Sequence, residues 1–244
     1  MSIQVGIVGL GRFGLFWAQY LSRLFDVKGT SRRVIADLPP GVTQIPFERI
    51  GEMDTVFLCV SISSLEHVLP ELSRHLRPGQ TVIDTCSVKA YPVAQMVRFL
   101  PENVNIIASH PMFGPDSAVQ RTDRLPIITA PVRGPDAVYS HWKASFFELG
   151  LQVIEMTPDE HDREAAFTQG ITHYLGRILA AMDLKPSTIA TLGYTRLLQV
   201  MEQTCNDPEQ LFKDLQRFNP HTREMRESLR RAREATERLL DPAS

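Results

Sequence analysis

The chain has 244 residues, a formal net charge of −2 and 43% hydrophobic residues, ordinary figures for a globular chain of one large or two modest domains. So balanced a charge gives no reason to expect nucleic acid or a membrane surface as partner, and no apolar run approaches the ~20 residues of a membrane span. Three widely spaced cysteines, Cys59, Cys86 and Cys205, argue against a disulfide framework or a metal site and for a reducing compartment; with no basic leader before the first strand, the expectation is cytoplasmic.

The chain opens with an apolar strand, Ile3 to Val8, that runs into Gly9-Leu10-Gly11-Arg12-Phe13-Gly14 and then an apolar helical stretch, Leu15 to Leu24. Gly-x-Gly-x-x-Gly between a buried strand and a helix is a dinucleotide fingerprint. Gly9 permits the tight turn, Gly11 lets a pyrophosphate approach the backbone, and Gly14 lets helix and strand pack closely. The helix N-terminus then offers N–H groups and a positive dipole end to the phosphates.

Asp26 to Ser31 reads as the second strand. An acid about 20 residues past the glycines would hold the ribose 2′-hydroxyl of NAD. Thr30-Ser31-Arg32-Arg33 stands there instead. A hydroxyl and two guanidiniums suit a 2′-phosphate, which a carboxylate would repel, so NADP is expected ahead of NAD. Val34 to Gly51 is irregular, with a turn at Leu38-Pro39-Pro40-Gly41. Further strands are expected at Asp54–Val60, Thr81–Asp84, Val104–Ser109, Leu125–Ala130 and Leu151–Met156. Helices are expected at about Leu65–Leu76, after Ser87-Val88-Lys89, and around Val138, Trp142 and Phe146. This alternation gives a doubly wound, mostly parallel sheet of Rossmann type, whose ligands sit beyond the carboxyl ends of the strands. The expected cofactor contacts along that edge are Gly9, Gly11, Arg12, Phe13, Gly14, Ser31, Arg32, Arg33, Val60 and Ser61.

No convincing strand follows Met156. Thr157-Pro158-Asp159-Glu160 has the form of a helix start, with Thr157 as N-cap, and the helix should run to about Asp183. Pro186, Asp207-Pro208 and Asn219-Pro220 each mark a further helix opening. The expectation is a cofactor domain over residues 1–156 and an all-helical domain over 157–244. So few amphipathic helices make a small core, so they should bury a face against a second subunit as a homodimer.

Two segments lie at the ends of successive strands: Asp84-Thr85-Cys86-Ser87-Val88-Lys89, and Ser109-His110-Pro111-Met112-Phe113-Gly114-Pro115-Asp116-Ser117. Their placement makes Ser87, Lys89 and His110 active-site candidates. With the fingerprint, and with Glu160-His161-Asp162 followed by His173, these blocks closely resemble the prephenate/arogenate dehydrogenase family of tyrosine biosynthesis. The resemblance implies oxidative decarboxylation of a cyclohexadienol, with hydride passed to NAD(P)+. It gives His110 the role of base, Ser87 that of placing His110 and the nicotinamide, and His173 a substrate contact. Lys89 becomes a cation for a substrate carboxylate, or else a surface lysine at a helix start. His161 shapes the site or stands exposed in a first turn.

The chain departs from one branch of that family, which grips the substrate side-chain carboxylate with an arginine before the Asp-Pro turn. Gln203 stands there, and an amide cannot replace a bidentate guanidinium; Arg196 and Arg217 are the nearest substitutes. Arogenate-specific relatives carry an acid ten residues past the histidine, where this chain has Gln120. Prephenate is therefore expected as substrate, with arogenate as the alternative. Two other readings remain. One is a hydroxyacid dehydrogenase or imine reductase on the same scaffold, against which the histidine block argues. The other is a non-catalytic NADP-binding redox sensor, against which Ser87, Lys89 and His110 together argue.

Overall fold

The computed structural model describes residues 3–118 and 124–240. They divide into two compact units, Met1–His161 and Asp162–Ser244. The first unit is built on one eight-stranded sheet: β1 (Gln4–Val8), β2 (Asp26–Thr30), β3 (Val42–Gln44), β4 (Thr55–Leu58), β5 (Thr81–Asp84), β6 (Asn105–Pro111), β7 (Leu125–Arg133) and β8 (Leu151–Glu155). The spatial order is β3-β2-β1-β4-β5-β6-β7-β8. Every pairing is parallel except β6 with β7. The strands β4, β5 and β6 are buried at every position, which is why they read as continuous apolar runs rather than alternating ones. The chain turns to opposite sides of β1, first to β2 and later to β4, and this reversal opens a crevice at their carboxyl ends.

Helices α1 (Arg12–Leu21), α2 (Leu65–Ser73), α3 (Ala90–Phe99), α4 (Pro115–Ala118) and α5 (Asp136–Glu148) complete the unit. Its largely aliphatic core holds an aromatic cluster. Trp17 of α1 meets Phe57 of β4 edge-on at 5.9 Å, and Phe57 meets Trp142 of α5 edge-on at 5.0 Å. Phe146 closes the group at 5.6 Å from Trp142. Truncating any of these rings to alanine costs about 3–5 kcal/mol by the usual measure of large core deletions. Strand β3 lies inside the stretch read as irregular; it has three residues, too few for periodicity, and pairs with β2 through Val27, Lys28 and Gly29.

Helix α6 (Pro158–Ala165) starts as expected. The Thr157 hydroxyl accepts from the Glu160 N–H at 3.3 Å, and the Glu160 carboxylate accepts from the Thr157 N–H at 2.9 Å, a reciprocal capping box. The helical run passes through a π-helical turn, Ala166–Gly170, into α7 (Ile171–Ala181).

The second unit continues with α8 (Leu192–Asn206), α9 (Glu209–Phe218) and α10 (Thr222–Arg238). Pro186 does not open a helix. The chain leaves α7 at Asp183 with a φ of +54°, and α8 begins only where the Thr191 hydroxyl accepts from the Tyr194 N–H at 3.2 Å. Helix α7 lies close on α8 because Gly176 has no side chain: a Cβ there would stand 1.9 Å from the Thr204 hydroxyl. Leu215 and Met225 are fully buried, and the Asn219 amide donates to the Asp162 carbonyl at 2.8 Å, tying the α9–α10 turn to the start of the unit. No helix among the described residues is long and apolar enough to cross a membrane.

Candidate active site

The fingerprint has the backbone that its sequence calls for. Gly9 has a φ of +103°, a left-handed conformation that disfavours any side chain, and a Cβ there would meet the Cys59 carbonyl at 2.6 Å and Val60 at 2.9 Å. A Cβ on Gly14 would fall 1.8 Å from the Gly9 carbonyl, whereas one on Gly11 would meet nothing within 4 Å. Turn and helix are therefore in contact where Gly14 sits, and the space over Gly11 is open. Gly11 caps α1 with no side-chain bond, leaving the first N–H groups of the helix directed at that space. A dinucleotide pyrophosphate fits this cradle.

Around it, Arg12 pairs with Asp116 at the surface. Phe13 is half-buried, stacked on Trp17 at 6.0 Å. Ser61 shares a 2.5 Å hydroxyl contact with Ser64. Strand β2 ends at Thr30. Ser31 follows, half-exposed, with Arg32 and Arg33 exposed. Gln44 steadies this loop: its amide donates to the Arg33 carbonyl at 2.8 Å and accepts from the Ile35 N–H at 2.9 Å.

The ends of β5 and β6 carry the second group. Asp84 is fully buried. Its carboxylate accepts from the Ser109 N–H and the Cys86 N–H, each at 3.1 Å, and from the Lys89 ammonium. Lys89 also donates to the Ser109 carbonyl, and the Ser109 hydroxyl donates to the Asp84 carbonyl. Lys89 is thus neither the surface lysine nor the open substrate cation that the sequence suggests. It is 2% exposed and its charge is spent on Asp84, as a buried ammonium requires. Between these two residues, Ser87 is 6% exposed and its hydroxyl has no partner among the described residues. A buried hydroxyl is bonded as a rule, to protein, water or a ligand.

His110, the next-to-last residue of β6, is 4% exposed. Its Nδ1 lies 2.8 Å from Nε2 of His161, with the rings 71° apart. His161 is 2% exposed, so the reading of an exposed first-turn histidine is overturned. Burial pushes the His110 pKa well below 6.5, and the neighbouring His161 and the Lys89 charge push it the same way. His110 is therefore neutral at physiological pH. If its Nδ1–H donates to His161, the lone pair stands on Nε2, free to accept a proton.

In the second unit His173 is 6% exposed and its Nδ1 has no partner among the described residues. Its Nε2 lies 3.8 Å from the Asp207 carboxylate. Burial lowers its pKa, Asp207 opposes this and Arg177 adds to it. Arg177, one turn further along α7, donates to the Asp207 carbonyl at 3.0 Å and lies over the Phe212 ring at 5.6 Å. Its Nε is buried without a partner. The two arginines nominated from sequence are elsewhere. Arg196 is exposed on α8, and Arg217 is exposed on α9 over the ring of Phe218. Gln203 is exposed as well, and Gln120 lies outside the described residues. Sequence reasoning missed Asp84, Ser109, Arg177 and Asp207. The four-residue step from His173 to Arg177 was the available signal for one of them.

A glycine cradle at the switch of a doubly wound sheet, with a buried neutral histidine at a neighbouring strand end, defines a dinucleotide-dependent dehydrogenase. Family profiles match two stretches of the chain: residues 41–125 as the nucleotide-binding domain of prephenate dehydrogenase, and residues 178–243 as a TYRAAT1-like C-terminal domain. The chain is 32% identical over 251 residues to arogenate dehydrogenase 2, chloroplastic, of Arabidopsis thaliana, covering 98% of this chain and 70% of that one. It is 30% identical over 243 residues to a probable arogenate/prephenate dehydrogenase of Methanocaldococcus jannaschii, covering 93% of this chain and 54% of the relative. In fold it matches the prephenate dehydrogenase of Aquifex aeolicus solved with hydroxyphenyl propionate and NAD+, at a TM-score of 0.73 and 18% identity, over 99% of this chain and 93% of that one. The chain belongs to the prephenate/arogenate dehydrogenase family, and it is an NAD(P)-dependent dehydrogenase.

Proposed function

We propose that the chain converts prephenate to 4-hydroxyphenylpyruvate, with His110 as the base and NADP+ as the preferred hydride acceptor. The observation that carries this is the state of His110: buried, neutral, and joined through Nδ1 to His161. The substrate's ring hydroxyl gives its proton to Nε2 of His110 as that oxygen becomes carbonyl-like. The bound dinucleotide supplies the hydride acceptor. The ring carboxylate leaves as CO2, its bonding pair restores aromaticity, and the ring oxygen takes the proton back from His110 to give the phenol. Aromatisation drives the reaction, so the side chains supply orientation more than power. Ser87, with its orphan hydroxyl, orients the nicotinamide and His110, and His173 contacts the substrate.

The preference for NADP+ rests on Ser31, Arg32 and Arg33 at the end of β2, where no carboxylate stands. NAD+ is the second reading, and the Aquifex aeolicus complex favours it. Prephenate over arogenate rests on Gln120, a neutral side chain where an acid would pair the arogenate ammonium. The 32% identity to an arogenate dehydrogenase favours the other substrate. A homodimer through the C-terminal helices is supported by the exposed apolar side chains Leu175, Ile178 and Met182 of the α7 region and Leu192 and Leu197 of α8. The cytoplasm is supported by three free thiols.

The test is a matrix of both substrates and both dinucleotides, read as growth of reduced-dinucleotide absorbance. Turnover of prephenate with NADP+ at the highest kcat/KM is expected. Failure with both substrates refutes the reading.

A further inference from the structure

Three of the seven buried side-chain polar atoms that lack a partner among the described residues lie on one row of one helix: Gln169 Oε1, His173 Nδ1 and Arg177 Nε. They are spaced four residues apart, from the π-helical turn into α7, so they share a face. Buried polar atoms are paired as a rule, so three such atoms on one face make a polar row that water or a ligand would complete. The three are chemically graded: an amide, a neutral imidazole and, at the far end, a guanidinium. Arg177 is held for such work. One terminal nitrogen is tied to the Asp207 carbonyl at the end of α8, the plane lies over Phe212, and Nε is left without a bond. An arginine fixed in this way presents the remaining edge of its fork to a carboxylate.

We propose that Gln169, His173 and Arg177 form the track that recognises the substrate's side chain, with Arg177 holding its terminal carboxylate. This rests on the reading of the chain as a prephenate or arogenate dehydrogenase, and it supplies the cation that Gln203 cannot be. The carboxylate takes the guanidinium of Arg177 through the donors that the Asp207 carbonyl leaves over.

The test uses two phenols of equal length, 3-(4-hydroxyphenyl)propionate and 4-propylphenol, which differ only in the terminal carboxylate. Each is titrated by calorimetry into the full-length protein saturated with NADP+. The wild type should prefer the carboxylate compound. Arg177→Met should cut that preference on the order of 10- to 100-fold, the worth of a charge-assisted bond, and leave 4-propylphenol and NADP+ binding within twofold. A purely structural arginine would weaken both phenols alike. Arg177→Gln keeps a donor for the Asp207 carbonyl and reads the same ratio should the methionine variant not fold. An unchanged ratio in both variants overturns the proposal. So does a collapse of the ratio in Arg196→Gln or Arg217→Gln instead. The outcomes separate from the functional reading: a protein that turns over prephenate but keeps its ratio in Arg177→Gln loses the track and keeps the reaction. One that turns over neither substrate yet shows the switch keeps the track and loses the reaction.

Discussion

Replacing His161 by alanine tests the site at its most specific contact. The substitution removes the Nε2 that stands 2.8 Å from His110 Nδ1 and that accepts from it in the productive tautomer. His110 is 4% exposed, so water does not easily take the vacated place. A buried donor left unsatisfied costs about 1–3 kcal/mol, and at about 1.4 kcal/mol per factor of ten this becomes roughly 5- to 150-fold between the productive imidazole and its other tautomer or rotamers. We expect kcat to fall by ~10–100-fold on that basis, with NADP+ affinity unchanged because the fingerprint is untouched. The acid limb of kcat/KM should also move up in pH, since His161 is one of the groups holding the His110 pKa down. His161→Gln, which keeps an acceptor, should recover part of the rate. Turnover within twofold of wild type, with an unmoved acid limb, would show that His161 does not orient the base.

His110→Asn should abolish turnover, a loss of about 10²–10⁴ for a positioned base, with dinucleotide binding by fluorescence titration unchanged. Arg32→Asp should erode or reverse the preference for NADP+ in paired kcat/KM measurements; a wild type that prefers NAD+ severalfold would make the basic turn a solvated loop. Stability should fall as pH drops below the ordinary imidazole value of 6.5, because His110 and His173 bind protons more readily unfolded than folded. The slope is up to about 1.4 kcal/mol per pH unit for each, and urea titrations at pH 7 and pH 5 should show His110→Gln losing part of it. Lys89→Met should destabilise the fold by about 3–5 kcal/mol, since it leaves the Asp84 charge buried and uncompensated; a urea midpoint at the wild-type value would refute the pairing.

The order of strands and the fingerprint were legible because long apolar runs and glycine turns are local signals. Strand β3 was not, because three residues have no period and its edge pairing to β2 decides it. The helix start at Thr191 was passed over for Pro186, since an N-cap without a following acid gives little signal. At the site, His110 was legible from its place at a strand end. The burial of Lys89 was not, because lysine is seldom buried and its partner Asp84 depends on how β5 and β6 align. Arg177 is not legible because a single arginine on a helix gives no local signal; only its place one turn from His173 singles it out.

The Asp84–Lys89–Ser109 lattice bears on how such sequences are sorted. Ser87-Val88-Lys89 reads as a chemical signature, yet its lysine serves as a rivet between two neighbouring strand ends. Losing it threatens the fold before it threatens the reaction. A descendant that gave up catalysis but remained folded would therefore keep Asp84 and Lys89 and be free to change His110. Presence of the lysine certifies a sound scaffold; only the histidine pair and the orphan serine hydroxyl speak for chemistry.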